Sequence, residues 1–357
     1  MGDMDITFYT TPRATWDAML ADCRAAKRSI EMEQYIVAND EIGNAFLDVF
    51  LEKLKEGVAV RLLLDRIGSR TVYDSPRIRD IVDAGGQVRF YNPPQWSRVF
   101  KPVHWFPRNH TKTLLVDSEI AYIGGVCLEA PMADWRDSQI RFTGPAVAGI
   151  EARFSLERIK WRTRARDFVR RDHDLKSTLE YIVHRPHLGP NPIYRRLVRA
   201  IRTAKKSVCL ITPYFLPPYG LRRAMRQAAK RGVKVHVMMS QATDAHIADC
   251  VSHSYFPWMY RNKIRISLYA KTMLHAKYVI VDDDWATIGS SNLDYLSLKH
   301  NREANVIIRD KAVIAMLQGH FNDDLKNCIE AGHDYWHNLP LMHRILGYLG
   351  RSIKKIL

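Results

Sequence analysis

Two short stretches of this sequence carry side chains able to do phosphorus chemistry. His110-Thr111-Lys112, followed by Asp117 and then Gly124-Gly125, recurs as His275-Ala276-Lys277, Asp282 and Gly289-Ser290 with the same internal spacing. In a strand, residues i and i+2 share a face, so each histidine is expected beside a fixed cation. Two ammonium groups can neutralise phosphate oxygens while one imidazole attacks phosphorus and the other protonates the leaving oxygen. An imidazole in such a role needs its other ring nitrogen held. Asp137 and Glu303, which follow the two histidines at nearly equal separation, are the acids expected to do this. Zinc fits poorly, because lysines crowd the histidines and no thiol or carboxylate cluster supplies ligands. No cofactor is expected. A lone histidine in a strand is most often structural, and it is the matched Asp and Gly positions in both copies that argue for chemistry.

The elements that must position these residues repeat as well. Gly57-Val58-Ala59-Val60 and Gly232-Val233-Lys234-Val235 each open a strand after a helical pattern. In the first half SIEMEQYIV reads as a strand, and IGNAFLDVFLEKLKEG as a helix closed by Gly57. VRLLLD, a helix near SPRIRDIVDAGG, and QVRFY follow. The second half offers VCLITP, LRRAMRQAAKRG, VKVHVMM and a helix from Asp244 to Cys250. Behind the motifs, TLLV and YVIV read as buried strands, Asp117 and Asp282 as turn starts, and the glycines as places where the backbone can approach a bound group closely. Alternation of this kind predicts an α/β fold with a mostly buried sheet. The expected domains are 1–175 and 190–330, one motif in each, followed by a tail at 331–357; HRPHLGPNP is the most loop-like stretch near the boundary.

Composition bounds the partners. The 357 residues carry 54 Lys and Arg against 38 Asp and Glu, a formal charge of +16, which points to nucleic acid or an acidic membrane surface. No stretch approaches the roughly 18 uncharged apolar residues of a spanning helix, and MGDMDITFYTTPRA does not read as a signal peptide. Five scattered cysteines without a CxxC pair argue for a reducing, cytosol-facing compartment.

The doubled pattern HxKxxxxDxxxxxxG resembles that of the phospholipase D superfamily. Asn109 to Lys112, Ile123-Gly124-Gly125, Trp135-Arg136-Asp137, Thr212 to Pro217 and Gly289 to Asp294 look like its bacterial cardiolipin synthase branch, over roughly Ile30 to Asn327. The resemblance implies two α/β/α sandwich halves packed as a pseudo-dimer with one active site at their interface, a phosphatidyl-histidine intermediate and no metal requirement. It makes His110 the nucleophile and His275 the acid, then base. Lys112, Lys277 and Asn292 would hold the phosphate oxygens. Asp117 and Asp282 count with the catalytic motifs, and Ser290, Gly124, Gly125, Gly289, Asp137 and Glu303 support them. The implied reaction joins two phosphatidylglycerol molecules with release of glycerol, at the cytoplasmic face of an anionic membrane. The alternatives are a hydrolase releasing phosphatidic acid and a phosphodiesterase or nuclease. The chain departs from the branch at Val126-Cys127, where a polar Asn is common, and at Leu296 and His300, where Arg and Leu are more usual.

Five other features have a bland and a sharper reading. His333 and His337 stand at i, i+4 without the glutamate or third ligand of a metalloprotease helix, and Asp283 and Asp284 read as turn residues. The aromatic stretches Trp96 to Phe106 and Tyr255 to Trp258 either fill the core or form a lipid-facing mouth. The basic run Arg158 to Arg171 reads as a solvated helix face or as a holder of anionic head groups. In the tail, Leu341/Met342, Ile345/Leu346, Leu349, Ile353 and Ile356/Leu357 recur at helical spacing among basic residues, as in an interfacial helix or one packed on the core.

Overall fold

The computed structural model describes residues 5–92, 106–144, 147, 150, 178–186 and 189–353. The stretch from Trp96 to Trp105, the basic run Arg158 to Arg171 and the last four residues lie outside these.

The first half runs β1 (Ile6–Tyr9), helix Pro12–Ala25, β2 (Ser29–Gln34), helix Glu41–Lys55, β3 (Ala59–Asp65), helix Pro76–Asp83, β4 (Gln87–Tyr91), β5 (Lys112–Val116), β6 (Ile120–Gly124) and β7 (Gln139–Thr143). Helical crossovers make β2, β3 and β4 parallel, while β5 and β6, joined by a short turn, and β7, reached through a longer loop, pair antiparallel. Local chemistry sets the crossover lengths. Asp40 caps helix Glu41–Lys55 through the N–H groups of Ile42 and Gly43, Phe46, Leu47 and Phe50 bury one face, and Gly57 at φ +86° ends the run. The sheet order is β1-β7-β6-β5-β2-β3-β4.

The second half repeats it with β8 (Leu179–His184), β9 (Ser207–Ile211), β10 (Lys234–Ser240), β11 (Arg265–Tyr269), β12 (Tyr278–Val281), β13 (Trp285–Gly289), β14 (Glu303–Ile308) and β15 (Cys328–Glu330). Its order, β15-β11-β10-β9-β12-β13-β14-β8, is the first sheet's order with one strand added at the edge. β8 precedes residue 190 yet pairs along β14, so the second sheet starts inside the stretch expected to separate the domains.

Both sheets are covered on both faces. Helices cover the outer faces, and the inner faces meet in one apolar layer that takes Leu115, Ile123, Ile140 and Phe142 from the first half and Ile211, Tyr278, Ile280 and Ile288 from the second. The α/β expectation of two sandwich halves sharing an interface therefore describes the molecule.

The open alternatives resolve toward structure. Tyr255 and Phe256 are fully buried in the second-half core, and Trp258 packs against it, so that stretch is not a lipid-facing mouth. His333 lies outside the short helix Tyr335–Asn338 that holds His337, and no group of His, Cys, Asp and Glu among the described residues is arranged to hold a metal. Asp283 is a turn residue paired with Lys206 at 3.2 Å. No helix among the described residues is long and apolar enough to cross a membrane.

Candidate active site

Both histidines lie just ahead of strands rather than within them. Each sits in an extended segment that bonds to the other half of the molecule. His110 N donates to Arg302 O at 2.9 Å and Arg302 N to Arg108 O at 2.9 Å. In the same way His275 N donates to Arg136 O at 2.7 Å and Arg136 N to Met273 O at 2.9 Å. These two bridges run beside Glu303 and Asp137, so each acid is delivered to the histidine of the opposite half. His110 Nδ1 lies 3.0 and 3.2 Å from the two Glu303 oxygens, and His275 Nδ1 lies 2.6 Å from Asp137 Oδ2. Ser290 Oγ donates to the same Glu303 carboxyl.

Lys112 and Lys277 are almost fully buried. Each ammonium donates to the backbone carbonyl of its own histidine, Lys112 to His110 at 3.0 Å and Lys277 to His275, which uses one of its three donors. Burial pulls Lys277 down to about 8, with Lys112 adding to it against Asp137. His110 is held well below the usual imidazole range by burial and then by the two lysines, and His275 falls to about 4 through burial and Lys277 against the pull of Asp137. Burial thus favours the neutral form of both imidazoles in the free enzyme, the form a nucleophile or base requires. Their acids differ. Burial raises Glu303 to about 8, whereas Asp137, equally buried, is held below the usual carboxylate range because His275, Lys277 and the Ser138 N–H overcome desolvation.

The structure brings His110, Lys112, Asp137, His275, Lys277, Ser290 and Glu303 together, and it does not bring Asp117 or Asp282. These aspartates follow the far ends of β5 and β12, five residues and roughly 16 Å along the extended chain from Lys112 and Lys277. The Asp117 carboxylate accepts from the backbone N–H groups of Lys27, Arg28 and Ser29 at 2.7–2.8 Å. The Asp282 carboxylate accepts from those of Lys205, Lys206 and Ser207 at 2.7–2.9 Å. Both aspartates sit in the left-handed region, at φ 54° and 52°, and tie the hairpin turn to the start of the neighbouring antiparallel strand. Their placement is structural.

The glycines are needed for close approach, but to the protein itself. A Cβ on Gly125 would stand 2.2 Å from Asp137 Oδ1, and one on Gly124 or Gly289 would meet the Ser138 or Ala304 carbonyl at 2.2 or 2.3 Å. Asn292 lines a cavity of about 600 Å³ beside His110, shared with Tyr35, Arg108, Tyr214 and Ile247, and its buried Oδ1 has no partner among the described residues. Cys127, at the equivalent place in the first copy, is a buried thiol near both lysines.

Several site residues were given no role by the sequence pattern, although Trp135 and Arg136 stand in one of its segments. Tyr35 places its ring 4.8 Å from His110 and Trp135 its ring 5.2 Å from His275. Arg302 forks onto Glu33 at 2.7 and 3.0 Å, and Arg136 onto Asp324 at 2.7 Å twice, so both arginines pin the two halves together beside the acids. An arginine immediately before each acid was the available signal.

Two similar sheets, each completing the other's histidine–acid pair, define a two-motif phosphodiester-processing fold. It is the fold of phosphatidylserine synthase from Haemophilus influenzae Rd KW20, with a TM-score of 0.75 at 13% identity over 99% of this chain and 95% of that one. Polyphosphate kinase from Porphyromonas gingivalis shares it at a TM-score of 0.65 and 13% identity, over 99% of this chain and 53% of its own. The chain belongs to the family described as "Cardiolipin synthase, PLD-like domain", whose profile matches residues 19–134 and 197–325, one stretch in each half. The cardiolipin synthase of Oceanobacillus iheyensis is 29% identical over 99% of this chain and 75% of its own length. The major cardiolipin synthase of Bacillus subtilis is 29% identical over 99% of this chain and 76% of its own.

Proposed function

We propose that the protein is a cardiolipin synthase-type phosphatidyltransferase that joins two phosphatidylglycerol molecules and releases glycerol at the cytoplasmic face of an anionic membrane. The observation that carries this is the single buried site in which two imidazoles, each held by an acid from the opposite half, stand among two buried lysines in a chain of this family. His110 Nε2 attacks phosphorus, and the bond to glycerol breaks as His275, which takes up a proton when the anionic phosphodiester enters beside it, gives that proton to the departing oxygen. A P–N bond now links the phosphatidyl group to His110. His275, left neutral, removes the proton from a hydroxyl of a second phosphatidylglycerol, whose oxygen attacks phosphorus and frees His110. Lys112, Lys277 and Asn292 hold the non-bridging oxygens, and the lysines' positive charge is worth most where burial excludes water.

A second reading exchanges the two histidines, and one observation favours it. The Glu303–His110 pair keeps its extra proton to about pH 8, while the Asp137–His275 pair gives up the corresponding proton near pH 4. In the free enzyme at neutral pH the proton available for donation is therefore on the His110 side.

The test is to incubate the protein with phosphatidylglycerol vesicles and separate the products. Cardiolipin and glycerol in equal amounts are expected. Phosphatidic acid alone would make it a hydrolase, and cleavage of DNA without lipid turnover would make it a nuclease.

A further inference from the structure

The last described helix, Leu341–Ile353, is turned inside out relative to a core-packing helix. Its small residues face the protein. A Cβ on Gly347 would meet the Cys250 carbonyl at 2.3 Å, and one on Gly350 would meet Val251 Cγ2 at 2.3 Å, so the helix lies directly on helix His246–Ser254. Its polar residues complete the seam. His343 reaches Cys250 at 3.4 Å and His253 at 3.0 Å, and Arg351 Nε donates to Ser254 Oγ at 2.8 Å.

The large apolar residues point the other way. Leu341, Met342 and Leu349 are each about two-thirds exposed, at 64%, 65% and 64%, and Ile345, Leu346 and Tyr348 are more than 40% exposed. At 100° per residue these six fill an arc of roughly 160°, a mostly apolar face that is open to solvent and bordered at Tyr348 by the Trp336 ring, 5.5 Å away. Such a face on a soluble surface marks an interaction site.

Two features say what covers it. Ile247 is exposed, shares a helix face with the Cys250 and Val251 that carry the tail, and lines the cavity beside His110. The apolar surface therefore runs to the mouth of the cavity where the lipid head group must enter. Along one flank, rings and guanidinium groups alternate. Arg222 lies 5.8 Å from the Tyr219 ring and 5.4 Å from the Tyr255 ring, and Arg351 lies 4.6 Å from Tyr255 and 4.9 Å from Tyr348. The two end rings, Tyr219 and Tyr348, are exposed. Aliphatic residues edged by tyrosine and arginine match the acyl and head-group layers of a bilayer surface.

We propose that the outward face of helix Leu341–Ile353, continued by Ile247, is the surface by which this protein lies on a phospholipid bilayer, with its active-site cavity opening at the edge of the contact. This rests on the phospholipid reading above and adds the docking surface to it. The net charge of +16 favours an anionic bilayer.

The experiment is co-sedimentation of the full chain with vesicles of phosphatidylserine, which are anionic but not the proposed substrate. The double variant Leu346→Glu, Leu349→Glu should bind them at least tenfold more weakly while turning over a soluble short-chain phosphodiester at the unaltered rate. In a separate Leu349→Trp variant, indole emission should shift to shorter wavelength on adding vesicles, which keeps the question answerable if the charged variant does not fold. Unchanged vesicle binding by the charged variant, or unshifted emission, overturns the proposal. So does a dimer that the charged variant splits while still binding vesicles, since the face would then belong to a second copy. Because binding is read without catalysis, vesicle binding that survives alongside a failure to make cardiolipin would count against the activity and not against this surface.

Discussion

His110 is held by an acid 193 residues further along the chain, Glu303, at 3.0 Å, and the pair lies across the interface of the two halves. The reciprocal pair, His275 with Asp137, spans 138 residues at 2.6 Å. Neither half therefore contains a complete histidine–acid pair. The chemistry depends on how the inner faces of the two sheets meet, and the Arg302–Glu33 and Arg136–Asp324 forks beside the acids fix that meeting.

The Glu303 carboxyl makes the first prediction one of pH. With its proton held to about 8, kcat/KM on a soluble phosphodiester should show a limb near pH 8 that disappears in Glu303→Gln. A limb falling with pH assigns proton donation to the His110 side, and a rising one assigns attack to it. Lys277 also titrates near 8, and a limb that survives Glu303→Gln belongs to the lysine. Stability carries the same signature. The folded state binds more protons than the unfolded one between about 4.5 and 8, so this group's contribution is complete below that window and is lost as pH rises through it. Thermal unfolding across the window should flatten in Glu303→Gln.

A second expectation concerns covalency. His110→Ala should lose at least about a thousandfold in turnover, because the two-step route disappears while positioning survives. With an activated leaving group, His275→Ala should accumulate a phosphorylated protein whose label maps to His110. Label on His275 in the His110→Ala protein instead would establish the exchanged order, and label in neither would remove the covalent step.

Much of this arrangement could be read from residue types and spacing. The duplicated motif marks the two halves, the apolar runs TLLV and YVIV mark the buried strands behind it, and Gly57 marks a helix end. What spacing could not give was partnership across the interface. Asp137 follows His110 as Glu303 follows His275, yet each serves the other's histidine, because linear separation says nothing about which sheet face meets which. Asp117 and Asp282 sat at invariant offsets for a reason the pattern cannot separate from catalysis, since a turn tied to a neighbouring strand also fixes spacing. The glycines misled in the same way. Their missing side chains make room for the protein's own strands and carboxylate.

If Asp117 and Asp282 are structural, Asp117→Ala and Asp282→Ala should cost stability and spare chemistry. Each leaves three backbone N–H groups without their carboxylate, worth about 1–3 kcal/mol where water replaces it poorly. The melting temperature should fall in both variants, while kcat on a soluble substrate, measured well below melting, should stay within about twofold of the parent, far from the loss expected of a catalytic group. A large fall in kcat from a folded Asp117→Ala protein would return these residues to the mechanism.

Gly125 offers the sharpest test of the acid's placement. Its Cα faces the Asp137 carboxylate so closely that an added methyl would stand 2.2 Å from Oδ1, and the only relief is to move the acid that holds His275. A displacement near 1 Å in such a pair costs on the order of a hundredfold in rate, so Gly125→Ala should lose about that much kcat. Gly332→Ala, where nothing lies within 4 Å, is the control for the substitution itself. The second copy shows how the same space can hold a side chain: Ser290 stands where Gly125 does, and its hydroxyl bonds to Glu303, an acid one methylene longer than Asp137. Gly125→Ser alone should therefore be as damaging as Gly125→Ala, while Gly125→Ser combined with Asp137→Glu should recover part of the lost rate, because the pair rebuilds the arrangement already present around His110. Should the double variant be no better than Gly125→Ser, the two acid sites are not interchangeable and the twofold equivalence of the halves stops at the backbone.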